Sequence, residues 1–179
     1  MKKIFTILTL IVSLFIFGQE SFKFPFTNIN NLDKKDLKDV KLKVDEFKGT
    51  AFITPKGFMS ETYRIEPYLS YKNDSVTFRI KFKYYSKSWL FHKKVMIKVN
   101  DEIKEFDVNP SEDVIKGGIQ EISDIVLNID DIDFLRKVAD SKKDVIIRYE
   151  GEKHEDQKLY GMERNYLKKI INFFDKYKK

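Results

Sequence analysis

The feature that most constrains the fold is a two-residue alternation in the middle of the chain. Between Val76 and Tyr84 every second residue is apolar, and the residues between them are polar or basic. Because the side chains of a β-strand point alternately to its two faces, this pattern predicts a strand with one face in the core and a basic face towards solvent. Other segments with a similar period predict further strands; these are 50–54, 62–70, 95–99, 106–108, 125–129 and 144–150.

Towards the end of the chain the apolar residues no longer recur at every second position but at the three- to four-residue spacing of a helix. A short helix is predicted over residues 133–140, because Asp130 and Asp131 can cap it and place acids at the positive end of its dipole. A longer helix follows, whose apolar stripe consists of Met162, Tyr166, Leu167, Ile170, Ile171, Phe174 and Tyr177. A sheet with one open face needs a cover. We therefore expect an α+β fold of mainly antiparallel β-structure: a β-sandwich or open barrel with a short helix and a C-terminal amphipathic helix packed on the sheet.

The N-terminus has the features of a signal peptide over residues 1–18. A short basic start is followed by the uncharged run Ile4–Phe17, and Gly18 supplies a small residue at a cleavage point. This run is shorter than the roughly 20 apolar residues that span a bilayer, which favours a cleaved secretion signal over a membrane anchor. We expect an exported protein, periplasmic or extracellular, with no transmembrane segment after cleavage. Residues 19–40 are predicted as a leader segment, and residues 41–179 as a single β-rich globular domain.

Four segments follow one another along the chain in a distinctive order: Asp45–Thr50 (DEFKGT), Trp89–Phe91 (WLF), Leu135–Ser141 (LRKVADS) and Arg148–Gly151 (RYEG). Together they resemble a family of small exported or phage-associated bacterial proteins that are rich in β-structure. The resemblance covers roughly residues 43–178 and depends on the order and spacing of these segments. It implies a shared β-rich fold; the family has no established activity, so the resemblance implies nothing about a substrate.

Composition and motifs argue against most kinds of catalytic site. The chain has no Cys, which removes disulfide scaffolds, thiol nucleophiles and Cys-ligated zinc. The two histidines, His92 and His154, have no second histidine at a metal-binding spacing, so no metal and no cofactor are expected. A Gly-x-Ser-x-Gly motif is also absent from the sequence. The catalytic alternative that stays open is an envelope hydrolase that uses paired carboxylates around Glu150–Asp156.

Positive charge is concentrated on two of the predicted strands. Arg79, Lys81 and Lys83 share one face of the central strand, and Lys94 and Lys98 share one face of a later strand. If these strands are neighbours, the five side chains form a basic patch. Such a patch attracts anionic partners. The candidate partners are an envelope protein or an anionic polymer.

These cations also have a purely structural explanation. Glu105, Asp107 and Glu121 follow them in the sequence, and pairing across strands would cancel the patch. A basic stripe beside aromatic residues is typical of single-strand nucleic-acid binding, but an exported chain with a modest net charge of +6 is not expected to bind nucleic acid. We therefore expect a non-enzymatic binding or interaction module of the cell envelope.

Overall fold

The structure, a computed structural model, describes residues 22–57, 63–115 and 117–179. The signal peptide predicted at residues 1–18 lies outside these ranges. The elements in the described ranges are β1 (Phe24–Pro25), β2 (Val40–Asp45), β3 (Thr50–Pro55), β4 (Ile65–Lys72), β5 (Ser75–Ser86), β6 (Lys94–Val99), β7 (Glu102–Asp107), β8 (Ser111–Ile115), β9 (Gly118–Val126), α1 (Ile129–Asp140), β10 (Val145–Glu150), β11 (His154–Lys158) and α2 (Gly161–Tyr177). Two short 3₁₀ turns, Ile29–Asn31 and Asp36–Lys38, precede β2.

The strands that the structure describes form two antiparallel sheets. The larger sheet has the order β2-β3-β4-β5-β9-β8, and β1 pairs with the start of β5. The smaller sheet has the order β11-β10-β6-β7. Neither sheet closes into a barrel, and α1 and α2 accompany them. The predicted α+β fold of mainly antiparallel β-structure is therefore confirmed, in a sandwich-like form.

Strand β5 is central to the core because the two ends of its apolar face pack against different elements. The ring of Phe78 meets Phe174 of α2 edge-on, with centroids 5.4 Å apart. Further along β5, Phe82 packs against Phe106 of the smaller sheet, with centroids 5.2 Å apart. One end of the larger sheet is thus covered by a helix and the other end by the smaller sheet.

Helix α2 packs on β3 and β4 through its apolar stripe. The buried members of the predicted stripe are Tyr166, Leu167, Ile170, Ile171, Phe174 and Tyr177. Met162, in the first turn, is exposed instead. Arg136 of α1 holds both carboxylate oxygens of Asp175 on α2, so the two helices are joined by a bidentate ion pair.

Helix α1 begins earlier than the sequence pattern predicts. We expected a start at Asp133, and the helix starts at Ile129. The Asn128 side chain accepts a hydrogen bond from the backbone N–H of Asp131 at 2.9 Å. The Asp131 carboxylate in turn accepts from the backbone N–H of Asn128 at 3.0 Å. This reciprocal pair is a capping box, and it fixes the start of the helix immediately after β9.

The segment predicted as a leader contributes Phe24 and Phe26 to the core. Phe26 is fully buried, and its ring centroid lies 6.3 Å from that of Tyr71 and 6.1 Å from that of Tyr177. The backbone N–H of Thr27 donates to the carbonyl of Tyr177 at 3.0 Å. The start of the described chain therefore packs against the end of α2.

Candidate functional site

The five cations predicted as one binding patch lie on two different sheets. Arg79, Lys81 and Lys83 alternate along the outer face of β5 in the larger sheet. Lys94 and Lys98 lie on the outer face of β6 in the smaller sheet. The neighbours of β5 are β4, β9 and, at its start, β1, so β6 is not beside it and the five cations do not form a single patch. Alternation predicts the face that a residue takes, but it does not identify the neighbouring strand.

The β5 cations are paired with acids of the two flanking strands. Glu66 on β4 holds Lys81 at 3.6 Å and Lys83 at 2.5 Å, measured from carboxylate oxygen to Nζ. Asp124 on β9 accepts a 3.0 Å hydrogen bond from Nε of Arg79. The register explains this arrangement, since Glu66 and Asp124 lie on either side of Lys81 in the sheet. Cross-strand pairing therefore occurs on this face.

Of the three acids that were candidates for this pairing, Glu105 does pair with a cation of the predicted patch. Glu105 binds Lys94 at 2.7 Å, as a cross-strand pair within the smaller sheet. Asp107 is exposed at the end of β7, in register with Lys94. Glu121 is completely buried and lies on the opposite face of the larger sheet from Lys81 and Lys83.

The side chain of Tyr68 on β4 takes part in this ion-pair network through its hydroxyl group. Its hydroxyl donates to Asp124 at 2.7 Å and accepts from Nε of Arg79 at 2.8 Å. Burial, together with the Asp124 carboxylate, raises the pKa of Tyr68, so the phenol stays protonated. The Lys81 ammonium lies over the ring, with Nζ 5.2 Å from the ring centroid. These contacts fix the orientation of the ring.

A groove of about 390 Å³ runs over this face from the edge strand β2 to β9. We call it the basic groove, and its lining residues are Lys41, Lys43, Phe52, Thr54, Glu66, Tyr68, Lys81 and Asp124. The rings of Phe52 and Tyr68 form part of its floor, with centroids 6.3 Å apart. Lys41 and Lys43 are exposed on β2, and neither has a carboxylate partner among the described residues. The groove thus has paired cations in the middle and unpaired cations at the sheet edge.

A second groove, of about 340 Å³, lies on the outer face of the smaller sheet. Its lining residues are Met96, Lys98, Ile103, Ile146, Arg148 and Asp156. Arg148 donates to both oxygens of Asp156, at 2.5 and 2.7 Å. Glu155, next to Asp156, accepts a 2.8 Å hydrogen bond from the Tyr84 hydroxyl. Two of the carboxylates considered for a hydrolase are therefore engaged by an arginine and by a tyrosine.

The interior contains a polar array that the sequence analysis missed. Nδ1 of His92 lies 2.8 Å from a carboxylate oxygen of Glu121, and Nε2 lies 3.0 Å from the Ser123 hydroxyl oxygen. Since a carboxylate only accepts hydrogen bonds, Nδ1 carries the proton and Nε2 accepts from Ser123. Glu121 and Ser123 occupy two inward positions of β9, between the apolar residues Ile119 and Ile125. The sequence does give an indication of the array, because Glu121 and Ser123 occupy positions at which the alternation predicts apolar residues.

The connectivity of the array is that of a serine–histidine–acid triad, but its surroundings are different. The side chains of His92, Glu121 and Ser123 are all 0% exposed, so a substrate carbonyl has no route to the hydroxyl. The same carboxylate also accepts from the backbone N–H groups of Leu90, Phe91 and His92, at 2.6, 3.0 and 3.0 Å. The array therefore anchors the connection between the two sheets.

The charge states within the array follow from this environment. Burial lowers the pKa of His92, so its ring is neutral near pH 7. Burial alone would raise the pKa of Glu121, but the hydrogen bonds from the backbone N–H groups of His92, Leu90 and Phe91 lower it below the ordinary value. The carboxylate is consequently a buried anion that is stabilised by hydrogen bonds rather than by a fixed cation.

Neither a cluster of metal ligands nor a membrane-spanning helix occurs among the described residues. No three His, Asp or Glu side chains within residues 22–57, 63–115 and 117–179 are grouped so that they could hold a metal ion. None of the helices in these ranges has the length and apolar character needed to cross a bilayer.

No family model, curated protein or solved structure matches this chain.

Proposed function

We propose that this protein is an exported, non-enzymatic binding module of the cell envelope, and that it holds an anionic polymer in the basic groove. The observation that carries the proposal is the state of Lys41 and Lys43. Both ammonium groups are exposed at the groove rim, and the described residues offer no carboxylate to either. Cations that the fold leaves unpaired beside a concave surface create a positive potential, which favours an anionic ligand.

The described lining of the groove carries more positive than negative charge. Its two acids, Glu66 and Asp124, pair with cations of β5. Lys41 and Lys43 add two positive charges, and no described carboxylate pairs with either of them. An attraction of this kind acts over about 10 Å at ordinary ionic strength and weakens as salt is added. Binding to the groove should therefore be sensitive to salt.

The shape of the groove favours an extended ligand. Lys41 and Lys43 lie on the same face of β2 and are two positions apart, which is about 7 Å along a strand. A polymer with regularly spaced negative charges can contact both lysines at once. The floor formed by Phe52 and Tyr68 offers apolar surface to the polymer backbone. Because β2 is an edge strand, one end of the groove is open, so a long chain can continue past it.

The decisive experiment reverses the charge of the two lysines at the groove rim. We would compare the double variant Lys41→Glu/Lys43→Glu with the control Lys142→Glu/Lys143→Glu, which makes the same change in net charge in the exposed turn between α1 and β10. Retention would be measured on immobilised alginate and on immobilised polyphosphate, at two salt concentrations. The rim variant should bind about tenfold more weakly or worse, whereas the control should lose roughly twofold or less.

Three outcomes would overturn the proposal. Equal losses in the two double variants would show a general charge effect rather than a site. Unchanged binding in the rim variant would remove the groove from the interaction. Tighter retention of the unmodified chain on poly-glutamate than on either polymer would assign the groove to an acidic protein segment.

The export included in the proposal has a separate test. The full chain would be expressed in a bacterial host, and the mass of the protein recovered from the periplasm and the medium would be determined. Cleavage after Gly18 should yield a chain that begins at Gln19. A chain that retains Met1 and stays in the cytoplasm would contradict the export.

A further inference from the structure

The connection from β5 to β6 carries a pair of stacked aromatic rings at the surface. We call residues 87–93 the aromatic loop; it leads from the larger sheet to the smaller one. The rings of Trp89 and Phe91 stack with centroids 5.8 Å apart and planes inclined by 21°. Trp89 is half-buried, whereas Phe91 is 39% exposed. The more accessible ring of the stack is therefore that of Phe91.

The backbone of the aromatic loop is held from below by buried groups. Glu121 accepts hydrogen bonds from the N–H groups of three successive residues of the loop, Leu90, Phe91 and His92. Gly151 lies against it so closely that a Cβ atom there would be 2.0 Å from the carbonyl oxygen of Leu90. The loop is thus ordered before any ligand arrives, which reduces the entropy lost on binding.

Phe91 adopts a backbone conformation that a bulky residue rarely takes. Its φ angle is +51°, in the left-handed region. Strain of this kind persists only where the surroundings enforce it, and it is concentrated at functional sites. Here the hydrogen bonds that Glu121 accepts from three backbone N–H groups of the loop enforce this conformation. The result is an aromatic ring held in a fixed position at the surface.

Two lysines lie close to the stack along the chain. Lys87 precedes Trp89 by two residues and Lys93 follows Phe91 by two residues, so each lysine Cα lies within about 7 Å of an aromatic Cα. Both lysines are exposed, and in the described ranges neither meets a carboxylate. An aromatic face near lysines that have no carboxylate partner in the described ranges fits a ligand that combines a flat ring with a negative charge.

We propose that the aromatic loop is a second binding site, and that it takes an acidic sugar. One pyranose ring stacks its C–H face on the ring of Phe91, and its carboxylate is held by Lys87 or Lys93. The stack presents a single ring, which suits one sugar unit, whereas single-stranded nucleic acid is bound by several platforms in a row. The choice of a sugar over a nucleobase also rests on the proposed export. None of the loop residues lines the basic groove, so the two sites are separate.

The test uses Trp89, which is the one tryptophan of the chain, as its reporter. The complete protein would be titrated with trigalacturonate while the fluorescence of Trp89 is recorded. The neutral trisaccharide of galactose and a short oligothymidylate would be titrated in parallel. We expect a saturable change with trigalacturonate and binding about fivefold weaker or worse for the neutral sugar, because the lysines then contribute nothing.

Two variants remove the ring without unfolding the loop. Phe91→Gly suits a positive φ angle and should leave the fold intact, and Phe91→Asn is a second residue that tolerates this region. Each should weaken binding of trigalacturonate about tenfold. Phe22→Ala is the matched control, because Phe22 has a similar exposure of 41% and should leave the titration unchanged. Lys87→Gln/Lys93→Gln should reduce binding of the acidic sugar to the level of the neutral one.

The possible results separate this site from the basic groove. If Lys41→Glu/Lys43→Glu leaves the Trp89 titration intact, the two sites are independent, as proposed. A loss of the Trp89 response in that variant would overturn the assignment of a separate site. No fluorescence response to trigalacturonate, equal binding in Phe91→Gly, or equal or tighter binding of the oligothymidylate would overturn the acidic-sugar assignment.

Discussion

The imidazole of His92 and the carboxylate of Glu121 meet in the protein interior, with 2.8 Å between Nδ1 and Oε2. The same carboxylate accepts the backbone N–H groups of three consecutive residues, from Leu90 to His92. A carboxylate has lone pairs for all four donors, which a neutral amide lacks. One buried side chain therefore determines how the chain passes from the larger sheet to the smaller sheet.

Removal of this carboxylate should be strongly destabilising. Glu121→Ala leaves several buried N–H groups without an acceptor, and each such group costs about 1–3 kcal/mol. We expect the free energy of unfolding to fall by about 3 kcal/mol or more, measured as a lower urea midpoint at constant slope. Glu112→Ala is the control, because Glu112 lies opposite Glu121 in the β8–β9 register but is exposed. Similar losses in the two variants would contradict the anchoring role.

The stability of the protein should depend on the protonation of His92. The ordinary pKa of this imidazole is 6.5, and burial lowers it in the folded state. As pH falls below about 6.5, the unfolded chain binds a proton before the folded chain does. The contribution of His92 to stability is therefore complete above this pH and is lost as pH falls through the folded pKa. Glu121, whose folded pKa is also lowered, adds a second loss below about 4.5.

The variant His92→Asn isolates this effect, because its side-chain N–H can still donate to Glu121 but no longer titrates. Between about pH 7 and pH 5 the variant should lose less stability than the unmodified protein. His154→Asn, at an exposed position of the β10–β11 hairpin, should keep the original dependence. Burial raises the pKa of Glu163, so the protonation of Glu163 stabilises the folded state as pH falls. This contribution has the opposite sign to that of His92. Because all three proteins share it, it cancels when their pH profiles are compared. Parallel pH profiles for all three proteins would contradict the prediction.

The sequence predicts those parts of the fold that depend on a local period. The alternation from Val76 to Tyr84 identifies β5, and the helical stripe ending at Tyr177 identifies α2. Strand neighbours are set by long-range register, which a period of two does not encode. This is why β5 and β6 were treated as possible neighbours although they lie in different sheets. The start of α1 was also missed, because Asn128, Asp130 and Asp131 are all acceptable caps and the end of β9 decides among them.

The candidate site was predictable only in part, for a related reason. The alternation predicts that the outward face of β5 is basic, and Arg79, Lys81 and Lys83 lie on that face. Whether a lysine is paired depends on the strand beside it: Glu66 and Asp124 pair with the cations of β5, and no carboxylate within the described residues pairs with Lys41 or Lys43. The cations of β5 can be recognised from the sequence pattern. That Lys41 and Lys43 lack a partner can be recognised only from the order of the strands in the sheet.

Gly151 should be intolerant of any side chain. A Cβ atom at this position would lie 2.0 Å from the carbonyl oxygen of Leu90 and 2.8 Å from that of Phe91, and both contacts are with backbone. Gly151→Ala must displace the aromatic loop and should cost about 1–3 kcal/mol. Gly161→Ala is the control, since its nearest neighbour would be 3.9 Å away, and it should be neutral or stabilising by about 0.5–1 kcal/mol. Thermal unfolding of both variants measures the difference, and equal melting temperatures would contradict the close approach.

The segment before β2 should behave as part of the folded domain and not as a detachable leader. Phe26 is fully buried among Tyr71, Phe173 and Tyr177, and its truncation leaves a cavity that the surrounding rings cannot fill. Phe26→Ala should therefore reduce the free energy of unfolding by about 3–5 kcal/mol. Phe47→Ala removes the same ring from a fully exposed position between β2 and β3 and should change stability by about 0.5 kcal/mol or less. A small effect of Phe26→Ala in urea unfolding would show that the domain is complete without this segment, and the core boundary would then lie at β2.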